Sequence, residues 1–251
     1  MASFHFLFSL RRQRTYNAII MKTLKLLGSG ILAGLFIGLG SFAFVGCVSL
    51  DPTIGKIIGS ALFSVGLFCV CFFCSHLYTG RIGFCFEEKP SYVLDLAIML
   101  AGNFLGAAGL GSVVYFANLG ESGNQLMGVV RSIVSSRALD LGSGSGEPWY
   151  KALLMALVCG MLVFLAVYLW KKAENWGIKV FGLVLCVWTF VVTGTEHCVA
   201  NVFYFAMAGE WSLPSFLNVI LCIIGNSLGS WLVWGLLKFS TPKTPVPPVS
   251  K

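Results

Sequence analysis

Residues 193–201 have the sequence Thr-Gly-Thr-Glu-His-Cys-Val-Ala-Asn and interrupt an apolar run that extends from residue 178 to residue 204. An ionisable residue at the centre of a bilayer costs about 3 kcal/mol, so the adjacent Glu196 and His197 indicate a function. Backbone that stops being helical at this depth survives only where it packs in protein or lines a wet cavity. We therefore interpret this stretch as a helix break that marks a pathway across the membrane.

The rest of the chain consists mainly of similar apolar runs. Of the 251 residues, 57% are hydrophobic and only 11% are charged, against roughly 25% charged in a typical soluble domain. Runs of about 17 to 25 apolar residues are long enough to cross a bilayer. We predict an all-α membrane protein with six transmembrane helices, at residues 26–50, 57–83, 93–118, 149–170, 178–204 and 213–239.

The basic residues predict the orientation of these spans. The net charge is +7, but the Lys and Arg residues form short patches between apolar runs rather than the stripe that nucleic-acid binding needs. With six spans, 13 of the 17 Lys and Arg residues fall on the side of both termini. The positive-inside rule therefore places both termini in the cytoplasm of a multi-pass plasma (inner) membrane protein.

The segments outside the spans suggest three regions. We assign residues 1–21 to a cytoplasmic N-terminal arm, 22–240 to the transmembrane domain and 241–251 to a disordered Pro-rich cytoplasmic tail. The arm is compatible with an interfacial helix or with a dispensable extension. The polar stretch 121–147 is expected to be an external loop.

A six-residue motif occurs twice, 123 residues apart, and predicts an internal repeat. Residues 102–107 are Gly-Asn-Phe-Leu-Gly-Ala, and residues 225–230 are Gly-Asn-Ser-Leu-Gly-Ser. The second span is interrupted at residues 75–81 in the place that corresponds to 193–197 of the fifth. Three spans per repeat require the halves to be inverted, as in transporters with broken helices. The half-helix N-termini at such breaks favour a small anion.

The polar residues near the breaks are the candidates for chemistry. His197 titrates in the physiological range, and Thr79 in the partner break offers a hydroxyl. Asn103 and Asn226 are expected to bond the broken backbone. His76 is equally compatible with packing and with lining the pore. Arg81 is expected to anchor a helix end, and the cysteine cluster at 69, 71 and 74 to pack in a helix rather than bind metal.

Two motifs resemble signatures of the formate/nitrite transporter family, and the likeness extends from residue 22 to residue 238. Residues 75–80, Ser-His-Leu-Tyr-Thr-Gly, resemble its second-helix signature, and residues 194–201 resemble its fifth-helix signature closely. The resemblance implies a homopentamer in which each protomer has its own anion pore. It also implies that Thr79 lies on a mobile loop near a central His197, in a proton relay that includes Glu196 and Asn201.

The same resemblance assigns further residues to the pore. Leu77 and Phe190 would form one apolar constriction, with Tyr78 beside Leu77, and the other would consist of Phe63, Leu67 and Val163. Arg137 and Lys151 would attract anions at the outer mouth. The chain departs from the family pattern at His76, Tyr78 and Arg81, and residues 160–166 lack the usual Asn and Cys. These departures favour the family's hydrosulfide-channel branch.

We therefore expect a pore for small monovalent weak-acid anions of the hydrosulfide, formate and nitrite class. We expect it to bind neither a cofactor nor a metal, and we do not expect it to be an enzyme. Its partners would be these anions and membrane lipids, and not nucleic acid. An aquaglyceroporin-like pore for neutral solutes is the alternative, although the chain contains none of the Asn-Pro-Ala turns of that class. A third interpretation is a membrane scaffold or enzyme whose His76, His197 and cysteines bind a metal.

Overall fold

The computed structural model describes residues 2–119, 123–142, 144 and 146–240. Within these residues the chain forms ten α-helices and one 3₁₀ segment, Ile82–Glu87. The helices are α1 Ala2–Leu50, α2 Ile54–Leu62, α3 Ser64–Phe72, α4 Tyr78–Arg81, α5 Tyr92–Ala117, α6 Gln125–Arg137, α7 Trp149–Lys172, α8 Trp176–Val192, α9 Cys198–Ala208 and α10 Leu213–Ser240.

Five segments of the described chain are long and apolar enough to cross a membrane: Ile19–Leu50, Ile54–Phe72, Tyr92–Ala117, Trp149–Lys172 and Leu213–Ser240. The prediction of an all-α, multi-pass membrane protein is therefore confirmed. The fifth predicted span is divided by the break into α8, with 17 residues, and α9, with 11. Neither part alone reaches the roughly 20 residues that a spanning helix needs.

The long helices pack in two pairs, α1 against α5 and α7 against α10. In the first pair, a Cβ added to Gly34 would collide with the main-chain oxygen of Asn103. In the second pair, a Cβ added to Gly160 would collide with the main-chain oxygen of Asn226. Small residues let helix backbones approach closely, and the two crossings therefore bring these asparagines against neighbouring backbone.

The stretch predicted as an external loop contains a helix, and that prediction was wrong in this respect. Helix α6 begins after Asn124, whose side chain accepts a hydrogen bond from the Leu126 N–H at 2.9 Å. Its residues Met127, Val130 and Val134 are buried, and the helix packs on α1 and α9. Their spacing of three and four residues is helical, but the surrounding Ser, Gly and Arg residues obscured it.

Helix α1 is continuous from Ala2, so its backbone joins the proposed arm to the first span without a break. At 1.5 Å per residue its 49 residues measure about 74 Å, more than twice the hydrocarbon thickness of a bilayer. The division into an arm and a transmembrane domain at residue 22 stays a prediction. The predicted tail, 241–251, lies outside the described residues.

Candidate functional site

Two helix breaks of the same geometry lie at the centre of the fold. The first break, residues 73–77, separates α3 from α4, and the second break, residues 193–197, separates α8 from α9. In the first, the Ser75 N–H donates to Val70 O at 2.9 Å, and in the second the Thr195 N–H donates to Phe190 O at 3.1 Å. These six-residue turns close a helix end.

Each turn needs one residue in the left-handed region of backbone space. Gly194 takes this conformation in the second break with a φ of 72°, and Cys74 takes it in the first with a φ of 53°. Among the described residues, Cys74 is the only one other than glycine with a positive φ. A β-carbon makes this region unfavourable, so the first break carries strain that the second avoids.

Asn103 on α5 stabilises the first break through side-chain hydrogen bonds to the backbone. Its Nδ2 donates to Gly30 O at 2.9 Å and to His76 O at 2.8 Å, and its Oδ1 accepts the Tyr78 N–H at 2.8 Å. Its side chain thus satisfies backbone groups that the interrupted helix leaves free.

Asn226 on α10 stabilises the second break in the same manner. It donates to Ala156 O at 2.8 Å and to Glu196 O at 2.9 Å, and it accepts the Cys198 N–H at 3.1 Å. The expectation that the two repeated asparagines bond the broken backbone is confirmed. Both side chains are fully buried.

The two breaks meet through a hydrogen bond between Thr79 Oγ1 and His197 Nε2, 2.9 Å apart. His197 also caps α9, because its Nδ1 accepts the Ala200 N–H at 3.2 Å. A ring nitrogen that accepts an N–H carries no proton, so the neutral ring holds its proton on Nε2 and donates it to Thr79. Among the described residues the Thr79 hydroxyl has no second partner, which leaves its hydrogen available to a solute.

A buried ion pair lies beside this hydrogen bond. Arg137 Nη1, at the end of α6, is 2.8 Å from Glu196 Oε1. Asn201 bridges the pair, since its Oδ1 accepts from Arg137 and its Nδ2 donates to Glu196 Oε2, each at 2.5 Å. Arg137 also lies over the Tyr204 ring, 5.4 Å from its centroid. Buried charges are tolerated when they are paired and hydrogen-bonded in this way.

Sequence reasoning missed two members of this cluster. Asn218 Oδ1 accepts from Asn201 Nδ2 at 2.8 Å, and Cys222 Sγ lies 3.7 Å from Glu196 Oε2. Both are on α10 and are fully buried. Their four-residue spacing puts them on one face of that helix, but nothing in the sequence indicates that this face meets Glu196.

A cavity of about 250 Å³ extends to His197 from one side, and we name it the Arg137 cavity. Arg137, Lys151 and Lys56 supply its cations, and Phe63, Phe190, Glu196 and Tyr204 complete much of its wall. Lys151 Nζ is 3.4 Å from Glu147 Oε1. Burial and the nearby Glu196 raise the pKa of Glu147 above its usual value.

A second cavity, of about 290 Å³, approaches the first break, and we name it the Arg81 cavity. Its cations are Arg81, Lys171 and Lys179, and Leu77, Ser75 and Cys74 line the wall nearest the break. Arg81, expected to anchor a helix end, therefore also faces a cavity.

The predicted constriction residues are distributed differently from the sequence-based grouping. Phe190 packs edge-on against Phe63, with ring centroids 5.5 Å apart, and both line the Arg137 cavity. Leu77, which was grouped with Phe190, lines the Arg81 cavity instead. The reason is that Phe190 precedes the second break, whereas Leu77 lies within the first.

Of the remaining predicted residues, all but His76 are buried. Leu67 and Val163 are buried in the main apolar core and line neither cavity. Tyr78 also lines neither cavity, and its hydroxyl is 2.9 Å from Ser227 Oγ on α10. His76 Nδ1 is 2.7 Å from Ser29 Oγ on α1, and His76 lines a third cavity with Lys22 and Lys25.

The metal-binding interpretation receives no support from the described part of the chain. No group of three or more His, Cys, Asp or Glu residues there is arranged to hold a metal ion. Each of the nine cysteines is a free thiol.

Comparison with known proteins places this architecture among membrane transporters. Residues 11–240 match the family model described as formate/nitrite transporter. The uncharacterized transporter YrhG of Bacillus subtilis is 31% identical over 233 residues, covering 85% of this chain and 84% of that protein. The nitrite transporter NirC of Escherichia coli is 28% identical over 235 residues, covering 89% and 86%.

Solved structures agree with the sequence relatives. A pentameric formate channel with formate bound has a TM-score of 0.72 at 23% identity, covering 87% of this chain and 97% of that one. An ion channel of the same family has a TM-score of 0.74 at 21% identity, covering 87% and 91%. The matched proteins are channels and transporters rather than enzymes, as the sequence predicts.

Proposed function

The chain belongs to the formate/nitrite transporter family, and we propose that it is a pore for small monovalent weak-acid anions, with Thr79 and His197 at its centre. The observation that carries this proposal is the 2.9 Å bond between Thr79 Oγ1 and His197 Nε2 where two helix breaks meet. One cation-lined cavity includes His197 in its wall, and the other includes Gly80, which follows Thr79 in the sequence.

Charged residues first concentrate the anion, which then binds at the central pair, Thr79 and His197. Arg137 and Lys151 attract it on one side, and Arg81, Lys171 and Lys179 do so on the other. Phe63 with Phe190 and, on the opposite side, Leu77 form apolar constrictions. A bare charge at this depth costs about 3 kcal/mol or more, so a weak acid crosses more easily after it gains a proton.

The hydrogen bonds of His197 suggest how the proton is supplied. In the described geometry the ring is neutral, its Nε2–H fixes the Thr79 oxygen, and the Thr79 hydroxyl hydrogen binds the arriving anion. A second proton can enter at Nδ1 only if the bond from the Ala200 N–H breaks. The imidazolium so formed would transfer its proton to the anion through Thr79, with Glu196 and Asn201 completing the relay.

Several further properties belong to the same proposal. The chain would have six spans, because α8 and α9 together make the fifth, arranged as two inverted halves of three. The repeated breaks and the matched asparagine bonds support this arrangement. We further propose that residues 22–240 form the membrane domain and that both termini, including the arm 1–21 and the tail 241–251, are in the cytoplasm. The protein would be a homopentamer in the plasma membrane, as one structural relative is pentameric.

Hydrosulfide is the preferred candidate within the anion class. His76, Tyr78 and Arg81 replace residues usual in the family's second-helix signature, and the Asn and Cys usual in the fourth helix are missing from residues 160–166. Formate and nitrite, which name relatives of this chain, are the comparison substrates.

The test is uptake of hydrosulfide, formate, nitrite and glycerol into proteoliposomes across a range of pH. We expect anion uptake that rises as pH falls, and we expect His197→Asn to lose this dependence because it cannot carry the proton. The matched control is His76→Asn, which makes the same change at a histidine that lines neither of the two central cavities. Passage of glycerol alone would favour a neutral-solute pore, and an unchanged pH profile in His197→Asn would contradict the relay.

A further inference from the structure

The Arg81 cavity contains a buried hydroxyl that has no partner. Ser75 is 5% exposed and lines the cavity, and its Oγ makes no hydrogen bond. In the second break the matching residue, Thr195, donates its hydroxyl to Phe190 O at 2.8 Å. Leaving a buried hydroxyl unpaired is unfavourable. Ser75 therefore offers a donor to whatever polar group enters this cavity.

The charges around Ser75 indicate which group that is. Arg81, Lys171 and Lys179 line the same cavity. Within the described part of the chain no carboxylate forms a salt bridge with any of the three. Lys171 lies over the Phe84 ring at 3.7 Å and Lys179 over the Trp176 ring at 5.4 Å. Glu87 and Glu88 act on Lys171 electrostatically without forming a salt bridge with it. Three cations without a salt bridge and a free hydroxyl are suited to a carboxylate or sulfonate.

An exposed thiol lies at the same place. Cys74 lines the Arg81 cavity and is exposed, whereas the other cysteines of the chain are partly or fully buried. It directly precedes Ser75 and lies three positions before Leu77, at the end of the break. A group attached to Cys74 would therefore occupy the mouth of the path that we propose leads to Thr79.

We propose that Cys74 is an S-thiolation site for anionic disulfides of low molecular weight, and that the resulting mixed disulfide obstructs the pore. The Cys74 thiolate attacks one sulfur of the disulfide, a new S–S bond forms, and the original S–S bond breaks. The other half leaves as a thiolate, while the proton of Cys74 goes to solvent. The cysteine sulfur is oxidised and the leaving sulfur is reduced. The cations and Ser75 hold the anionic group of the attached half.

The site is tested by labelling the detergent-purified full chain with thiosulfonates of opposite charge. The probes are the 2-sulfonatoethyl and 2-trimethylammonioethyl methanethiosulfonates, and peptide mass spectrometry measures the rate at each cysteine. We expect the anionic reagent to modify Cys74 about tenfold faster than the cationic one, because the cavity attracts anions. Cys69, in the preceding helix α3, is not among the residues that line the cavity and reports the rate for a neighbouring thiol, whereas Cys71 lines the same cavity but is only partly exposed.

Variants identify the cause of this preference. Lys171→Gln with Lys179→Gln should reduce the preference for the anionic reagent severalfold, because only Arg81 then remains as a cation of the cavity. Ser75→Ala should slow the anionic reagent without affecting the cationic one. Oxidised glutathione should form a mixed disulfide at Cys74 that a reducing agent removes. Equal rates for the two reagents, or an adduct on other cysteines only, would overturn the site.

The effect on transport, which rests on the proposed function, is measured separately. Labelling with the anionic reagent on both sides of proteoliposomes should reduce anion uptake about tenfold, and a reductant should restore it. The control is Cys74→Gly, which has the residue that the second break uses and should resist inhibition. Full labelling with unchanged uptake would refute the obstruction. If the protein carries no anion, the proposed function fails, and the labelling rates still decide the site.

Discussion

At the scale of single residues, the Thr79 hydroxyl is the feature on which the proposed pore depends. Its oxygen accepts from His197 Nε2, and its hydrogen is free among the described residues. Thr79→Val preserves the shape of the side chain and removes this donor. We expect anion uptake to fall at least about tenfold, as is typical when a polar group of a site is lost. Thr79→Ser should retain most of the uptake, and equal loss in both variants would show that packing, not the hydroxyl, matters.

The ion pair of Arg137 and Glu196 is expected to contribute to the stability of the folded protein. Arg137→Gln leaves the buried Glu196 carboxylate without its cation. Removing one partner of a fully buried pair costs about 3 to 5 kcal/mol, and the loss here should be smaller because the Arg137 side chain is 15% exposed and lines a cavity. Thermal unfolding of the purified protein should therefore begin at a clearly lower temperature. Arg137→Gln combined with Glu196→Gln removes both charges and should recover much of the loss. A double variant no more stable than the single one would contradict this account.

At the scale of helices, two close helix crossings, α1 with α5 and α7 with α10, position Asn103 and Asn226, which stabilise the breaks. A Cβ at position 160 would collide with the main-chain oxygen of Asn226, and a Cβ at position 34 would collide with that of Asn103. A flexible side chain can move away from an added methyl group, but helix backbone cannot. Each crossing therefore fixes the distance between its two helices. The positions of the breaks therefore depend on helix packing as much as on the breaks' own sequence.

Gly160→Ala tests this dependence. We expect a loss of about 1 to 3 kcal/mol, the usual cost of forcing an extra methyl group into packed structure, measured as a lower thermal unfolding temperature. Gly28→Ala is the control, because no heavy atom lies within 4 Å of its added Cβ. On helix propensity alone it should be neutral or stabilising. If the two variants unfold alike, the α7–α10 crossing is looser than described.

The helices also show how far the sequence predicts this molecule. Polar residues and glycine within apolar runs located both breaks, and the repeated Asn103 and Asn226 indicated what bonds them. The contact between Phe63 and Phe190 could not be predicted, because the sequence does not determine which faces of two distant helices meet. Helix α6 was missed since its three buried residues lie among polar neighbours. The tautomer of His197 depends on the Ala200 N–H, which only the geometry of the cap reveals.

At the scale of the whole molecule, the candidate site exists only because the two halves come together. Thr79 belongs to the first half and His197 to the second, 118 residues later. A second link between the halves lies at the C-terminal end of α10. There Glu87 Oε1, in the 3₁₀ segment, is 2.9 Å from Lys238 Nζ, and Trp234 Nε1–H donates to the same oxygen at 2.8 Å.

This second link predicts a pH dependence of stability. The bonds from Lys238 and Trp234 hold the pKa of Glu87 below its usual value. A lowered pKa in the folded state adds stability above the pKa of the unfolded chain, about 4.3 for Glu, and loses it as pH falls through the folded value. Glu87→Gln should therefore reduce the unfolding temperature near pH 7 and have little effect in acid. Because the pair is partly exposed, the difference should stay below about 1 kcal/mol. Glu88→Gln changes the adjacent carboxylate and should have no such effect, and a larger difference for Glu87→Gln in acid than at neutral pH would reverse the expected sign.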